Sequence, residues 1–554
     1  MIETPRRILI TSALPYVNNE PHLGNIIGCV LSGDVYARWA KMVGHDVVYI
    51  CGTDEYGTAT EIKAYQEGLS CIEICDKYHA LHKQIYDWFG IQFDHFGRTS
   101  TLKQTELTHI IFNELYDNGL IDEEEVDQMY CESMGMFISD RFIEGYCYHP
   151  GCVDNKVACH GDQCDRCGNL IDVKKLIDPV CSINGERPII RKSKQLYLRT
   201  DKMQYKVSEY MESGKVRLSP VAEAITKSWL NKKLIPRSIT RDLKWGTPVP
   251  TTEDRLTEFA GKVFYVWFDA PIGYLSILSH LEDHERFLDP TTEWVQFMAK
   301  DNVSFHTIIF PATLLGCTTK YPIVTQLSGI DYLSYQGGKF SKSKNLGVFG
   351  SDAIRISEKL GIDDEYWRYY LLYIRPESGD SSFEWYQFVN WTNGHLVANL
   401  GNFVNRVMSL INKHFPKEEL ELLPIPEIVE KIDRWYKLMD NCQLRESLKL
   451  MMDISHCGNR YVTEKAPWVL IKEGRLDEIR EVLSQSLWYV ETLSIIVYPY
   501  LPKRSKIIQD CFEKPIRFDQ IKIPHTNIVC SKPALLFRSL KLEDIELVLR
   551  EPKD

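Results

Sequence analysis

The chain reads as an α/β protein: a parallel sheet of the nucleotide-binding kind, split by a long cysteine-bearing insertion and followed by an α-helical domain. Three observations predict this. Strand and helix patterns alternate from Arg7 onward, five of the sixteen cysteines crowd between Cys147 and Cys167, and beyond Trp385 long helical patterns replace strand signals. At 554 residues the chain is too long for one core, and 44% hydrophobic residues suffice to fill several.

Arg7 to Ser12 is an apolar run suited to a buried strand, Pro15 to Pro21 a turn, and Leu23 to Lys41 an amphipathic helix. A second strand over Val47 to Gly52 and a second helix over Ala59 to Gln66 complete a right-handed βαβ unit, placed in a first catalytic half spanning residues 1–116. The insertion is assigned to residues 117–238. The second half of the sheet returns over 239–328, with strands expected at Val263 to Phe268, Phe305 to Phe310 and Pro322 to Leu327. A Gly-rich loop region covers 329–386. Residues 387–554 form the helical domain, with helices over Leu396 to His414, Ile428 to Leu438 and Leu444 to Val462; Leu483, Leu487, Val490 and Val497 recur at helical spacing as a core stripe.

A net charge of −11 argues against indiscriminate nucleic-acid binding, DNA included, because the phosphate backbone is held mainly by Lys and Arg. Any RNA contact must be local; Lys227 to Lys233 and Lys339 to Lys344 are the candidate patches. No apolar run approaches the roughly 20 residues of a membrane helix. Met1 to Pro5 resembles neither a signal sequence nor a transit peptide, so cytoplasm is the expected compartment. No basic domain is appended, which favours a monomer or recruitment into an assembly.

Two segments carry phosphate chemistry. Pro21-His22-Leu23-Gly24-Asn25 falls where a turn enters a helix, so free backbone N–H groups and the helix dipole favour a phosphate there. His22 adds a donor, and Gly24 has no side chain to hold an adenine away from the backbone. Lys339-Phe340-Ser341-Lys342-Ser343 supplies two lysines between Gly337, Gly338 and Gly347, suited to closing over a triphosphate. In the insertion, Cys164-Asp165-Arg166-Cys167 has the spacing of a zinc knuckle. Its partner pair is irregular: four residues separate Cys147 from Cys152, and His149, Cys159 and His160 lie nearby. The first-choice ligands are Cys147, Cys152, Cys164 and Cys167, with His149 or Cys159 as substitutes, in a closed site whose role is structural.

The two phosphate motifs resemble the HIGH and KMSKS signatures of class I aminoacyl-tRNA synthetases, with Asn25 in place of the last His and Phe340 in place of Met. Within that class the chain is similar over nearly its whole length to methionyl-tRNA synthetases, on Ala13 to Asn18, Cys51 to Gly57, Val266 to Tyr274 and Lys300 to His306. The resemblance implies a Rossmann-type catalytic domain, a zinc-binding connective insertion and a helical-bundle anticodon domain. It implies a methionine–tRNA ligase that uses ATP with Mg²⁺ to form methionyl-adenylate, then esterifies the 3′ adenosine of tRNA(Met). Leu14, Tyr16, Asp54, Trp267, Ala270, Pro271, Tyr274, Phe305 and His306 would bind methionine, and His22, Gly24, Asn25, Lys300, Asp301, Lys339, Ser341 and Lys342 the ATP. His22, Asn25, Lys339 and Lys342 would act in catalysis, while Asn402, Arg406, Pro467 and Trp468 would read the CAU anticodon. The residue chemistry agrees, since a flexible thioether is recognised by shape and by sulfur–aromatic contact.

Overall fold

The computed structural model describes residues 4–551 except 139–141, 162–163, 165, 168–170, 253–254, 339 and 341–345. At its centre is a six-stranded, all-parallel sheet built from Arg7–Ser12 (β1), Asp46–Thr53 (β2), His95–Arg98 (β3), Arg217–Leu218 (β4), Glu293–Ala299 (β5) and Gln326–Ile330 (β6), in the spatial order β4-β6-β5-β1-β2-β3. β1 is buried from Ile8 to Ser12, as expected of a strand covered on both faces. Ile8 pairs with Val47 of β2 on one side and Glu293 of β5 on the other. The chain therefore leaves β1 towards β2 but returns through β5 on the opposite side, and this reversal opens a crevice beyond Ser12 and Ala299, the carboxyl ends of the two central strands.

The helix after the first turn runs through Leu23–Asn25, a π-helical stretch Ile26–Val30, and Leu31–Met42. Its span is the expected one, but every residue from Leu31 to Ala40 is buried, so it is a core helix wrapped on all sides rather than an amphipathic one. Inside it, Asp34 accepts from Arg38 Nε at 2.8 Å and from Arg368 Nη2 at 2.7 Å.

In the second half of the sheet, the expected strand at Val263 to Phe268 is extended only over Val263–Phe264, and Val266–Leu278 is a helix. Phe305 to Phe310, also expected as a strand, is the π-helix Phe305–Ile309 continuing into Phe310–Gly316. The strand expected at Pro322 to Leu327 begins later, as β6. Both apolar runs belong to helices buried nearly all round, where no 3.6-residue alternation survives to distinguish them from core strands. β5, Glu-Trp-Val-Gln-Phe-Met-Ala, was not anticipated; it is only thinly β-branched, yet it is the strand that pairs β1.

The insertion is built on an antiparallel ribbon of Ile121–Cys131 against Ile189–Leu198. Towards its tip lies a three-stranded sheet with Ile143–Tyr146 between Ala158–His160 and Ile177–Cys181. A small core of its own includes Ile143, Leu176, Cys147, Cys152 and Cys164. The segment 200–230, assigned to the insertion from sequence, rejoins the main sheet through β4, which pairs β6. The last third is helical as expected, with Asn402–His414, Pro426–Asp440, Leu444–Lys465 and Leu476–Ile496 packing around Phe403, Leu448 and Leu487.

Candidate active site

Beyond the ends of β1 and β5 lies a cleft of about 370 Å³ lined by, among others, Leu14, Tyr16, His22, Asn25, Trp267, Asp301 and Phe340. His22 caps the helix start with extended backbone, φ −92° and ψ 168°. Its Nδ1 accepts from the Asn25 amide at 3.3 Å, and the His22 amide donates to Asn25 Oδ1 at 3.1 Å, a reciprocal capping box. This arrangement commits Nδ1 as acceptor and leaves Nε2–H as the donor of a neutral ring. Burial pushes the imidazole down to about 4, so the ring is uncharged at neutral pH. A Cβ on Gly24 would lie 2.9 Å from the His22 ring, so this glycine is required by the histidine as well as by the backbone's openness to a ligand.

The two phosphate motifs meet in space. The Phe340 ring stacks on His22 with centroids 4.4 Å apart and planes 6° off parallel. An antiparallel bridge joins His22 to Phe349, the Leu23 amide donates to the Val348 carbonyl at 3.2 Å, and the Gly350 amide donates to the Pro21 carbonyl at 2.9 Å. Lys339, Ser341 and Lys342 lie outside the described residues. Asp301 reaches the cleft from the end of β5; Lys300 does not line it and is held by Asp331 at 2.9 Å and Asp380 at 3.1 Å, with Nζ 4.4 Å from the Tyr332 ring centroid.

Behind Tyr16 the aromatic residues assemble. Trp267 stacks on Phe305 with centroids 3.7 Å apart, and Tyr16 meets Trp267 edge-on at 6.4 Å. His306 Nδ1 lies 2.9 Å from the Asn302 carbonyl, which can only accept, so Nδ1 carries the proton and Nε2 accepts from the Tyr274 hydroxyl at 2.9 Å. Burial lowers the His306 imidazole to about 4, which keeps this neutral chain in place. Ala270 and Pro271 are buried in the helix that also carries Trp267 and Tyr274.

Asp54 follows β2 and is bridged to Tyr16, its amide donating to the Pro15 carbonyl at 2.8 Å. The residue is buried, and its Oδ1 has no hydrogen-bond partner among the described residues. Burial first, then the neighbouring Asp269 and Glu55, push its carboxyl well above the usual range. A buried carboxylate oxygen left unpaired costs stability unless a ligand satisfies it, and a cationic group is the partner that would relieve all three causes. Asp269, to which the sequence assigns no role, is fully buried, accepts from Thr247 Oγ1 at 2.8 Å, leaves Oδ1 without a hydrogen-bond partner among the described residues and is pushed up to about 8 by burial. Only proximity in the fold brings it to Asp54, and spacing along the chain held no signal for that.

Away from the cleft, the sulfurs of Cys147, Cys152, Cys164 and Cys167 all lie within 4.8 Å of one another, with Cys147 Sγ to Cys167 Sγ at 3.9 Å and Cys152 Sγ to Cys164 Sγ at 4.0 Å. These separations are far beyond a disulfide and close to the edge of about 3.8 Å that a tetrahedron with 2.3 Å zinc–sulfur bonds requires. His149 and Cys159 do not belong to this group of four. In the helical domain, Asn402 and Arg406 lie one turn apart, and the Arg406 guanidinium lies 5.1 Å from the centroid of Trp468, which is 38% exposed beside buried Pro467.

A parallel sheet with a phosphate-type helix start at its switch point, joined to a helical domain, defines a nucleotide-binding α/β protein with an appended bundle. The model of the family described as tRNA synthetases class I (M) matches residues 8–408, and that described as the anticodon binding domain of methionyl tRNA ligase matches residues 414–523. The chain belongs to the methionyl class I tRNA synthetase family. It is 48% identical to a methionine–tRNA ligase of Acanthamoeba polyphaga mimivirus over 90% of each chain. It is 44% identical to a probable cytoplasmic methionine–tRNA ligase of Dictyostelium discoideum, over 98% of this chain and 74% of that one, and 43% identical to the cytoplasmic enzyme of Mus musculus, over 98% and 61%. Its fold is that of a Mycobacterium tuberculosis methionyl-tRNA synthetase solved with methionyl-adenylate: TM-score 0.77, 20% identity, 96% of this chain and 100% of that chain covered.

Proposed function

We propose that the chain is a methionine–tRNA ligase acting in two steps. Methionine's carboxylate oxygen attacks the α-phosphorus of ATP, the bond to pyrophosphate breaks, and the adenylate then passes its methionyl group to the 3′ adenosine of tRNA(Met), releasing AMP. The observation that carries this reading is a neutral His22 donor at a helix N-terminus in the switch-point cleft, with Asp54 bridged through its backbone to Tyr16 of the same cleft and its buried Oδ1 without a hydrogen-bond partner among the described residues.

In this reading Asp54 pairs with the substrate ammonium, and Leu14, Tyr16, Trp267, Ala270, Pro271, Tyr274 and Phe305 enclose the thioether. His306 acts by orienting Tyr274, because both of its nitrogens are already engaged. His22 Nε2–H, Gly24, Asn25 and Asp301 serve the nucleotide side. Lys339, Ser341 and Lys342, with Mg²⁺ carried by ATP, neutralise the triphosphate; Lys300 supports the end of β5 through its ion pairs. Zn²⁺ is the cation that suits Cys147, Cys152, Cys164 and Cys167, and four thiolates around it leave no open position, so it serves the fold of the insertion. Asn402, Arg406, Pro467 and Trp468 take the CAU anticodon, the exposed Trp468 and Arg406 offering stacking and Asn402 hydrogen bonds. The compartment is the cytoplasm, where the enzyme works as a monomer or within a synthetase assembly.

The test is ATP–pyrophosphate exchange without tRNA, run with methionine and in parallel with leucine, isoleucine, valine and cysteine. Exchange with methionine alone is expected; exchange with another of these amino acids would overturn the pocket assignment.

A further inference from the structure

Two rings and a glycine confine the His22 imidazole. Phe340 lies flat against one face, with centroids 4.4 Å apart and planes 6° off parallel, and Phe349 meets the ring edge-on at 6.3 Å and 79°. A Cβ on Gly24 would lie 2.9 Å from Cε1 and Nδ1 of the same ring, so the helix start approaches it closely as well. Phe340 is itself firmly seated. The Tyr335 ring stands 6.0 Å from it, and a Cβ on Gly347, whose φ of +131° already favours glycine, would collide with Phe340 Cδ1.

Orientation matters more for an imidazole than for most donors, because its two nitrogens do different work. Nδ1 accepts from the Asn25 amide at 3.3 Å, and Nε2–H is left for a ligand. A half-turn about the Cβ–Cγ bond would put Cδ2 where Nδ1 accepts and Cε1 where Nε2 donates, and smaller turns would misdirect the donor. One 3.3 Å bond is a weak hold on the ring, whereas a parallel aromatic stack bars it from leaving its plane. The stack also keeps water off one face. Glu20, Cys29, His82 and Asp301 line the same cleft, Asp352 accepts from the Phe349 amide at 3.2 Å, and Lys339 and Lys342 flank Phe340 in the chain. Burial alone is the cause of the lowered His22 pKa.

We propose that Phe340 is a positioning residue for activation: its ring fixes the plane of His22 and so aims Nε2–H at the nucleotide side of the cleft, touching no reacting atom itself. The inference rests on the reading of the chain as a methionine–tRNA ligase and assigns to that site a residue outside its donors and its pocket.

Phe340→Ala is expected to lower kcat of methionine-dependent ATP–pyrophosphate exchange about tenfold with the KM for ATP within about twofold of wild type, because alignment in the transition state is what is lost. Phe340→Tyr keeps a stacked ring and should stay within about twofold of wild type in both. In a His22→Ala background, Phe340→Ala should cost less than about twofold more, the signature of a residue that acts through its neighbour. Uncovering the imidazole lets its pKa climb from about 4 towards the ordinary 6.5, and a protonated Nδ1 cannot accept from the Asn25 amide. The Phe340→Ala rate should therefore fall as pH drops through that range while wild type stays level. Methionine binding without ATP should match wild type in every variant. Unchanged kcat, a raised KM for ATP at unchanged kcat, or the full loss repeated in the His22→Ala background would overturn the inference; so would loss of methionine binding along with the rate, since the ring would then serve the fold. A wild type without methionine-dependent exchange would overturn the ligase reading instead.

Discussion

Asp54 is a carboxyl whose charge the fold disfavours. Burial, Asp269 and Glu55 all disfavour its charge, and its Oδ1 has no hydrogen-bond partner among the described residues to compensate. An ammonium brought to that oxygen reverses the balance, so binding methionine should release a proton. Methionine KM is therefore expected to fall as pH rises, and in Asp54→Asn to be raised about a hundredfold and lose that slope, with ATP binding retained; a normal KM in this variant would remove the pairing role. His22 works in the opposite sense. Its pKa of about 4 against an ordinary 6.5 makes it a neutral donor throughout the working range, so the exchange rate should show no inflection at 6.5 attributable to it. His22→Ala should lower kcat by about 10²–10³, the usual cost of losing one donor to a developing oxyanion. A clear step at 6.5 that disappears in that variant would mean the protonated ring is the active form.

At the scale of elements, the insertion behaves as a small domain with its own core, and its four thiols supply what so few apolar residues cannot. Chelation, or Cys164→Ser, is expected to release one equivalent of zinc and make residues 131–189 sensitive to protease while tRNA-independent exchange persists in large part. Loss of exchange in proportion to metal would place the metal's effect in the catalytic sheet. The cysteine set, β1, β2 and the helix start at Leu23 were legible because each is local: a ligand spacing, a five-residue apolar run, a turn before a helix. The junction of the two phosphate motifs was legible only as family resemblance, since the Phe340 stack on His22 joins residues far apart in sequence. β5 and the helices at Val266 and Phe305 were not legible, because central burial erases the alternation that marks one face. Asp269 was missed for a related reason: a carboxyl placed by tertiary packing leaves no trace in spacing.

Across the whole molecule, one buried cluster ties the helix carrying His22 to the helical third. Arg368 is fully buried and donates to Asp34 Oδ2, to the Phe89 carbonyl at 3.0 Å and to the Tyr500 carbonyl at 2.9 Å, while Arg38 donates to the same Asp34 oxygen and reaches the Gly90 carbonyl at 2.6 Å. Burial on its own would raise the Asp34 carboxyl, but the charges of Arg368 and Arg38 outweigh it and hold the pKa below 3.8. A depressed folded-state pKa contributes stability that is present above the unfolded value and lost as pH falls towards the folded one. Asp34→Asn leaves two buried guanidinium groups without a counter-charge, at a cost of about 3–5 kcal/mol near neutral pH. The melting temperature should drop accordingly, and the gap to wild type should narrow as pH falls below 3.8, where wild type begins to lose the same interaction. Because Arg368 spans two domains, the loss should appear in tRNA charging, which needs anticodon and crevice at a fixed distance, before it appears in methionine activation. A gap that stays constant with pH would mean that Asp34 contributes by shape and hydrogen bonding, and that its charge does not hold the domains together.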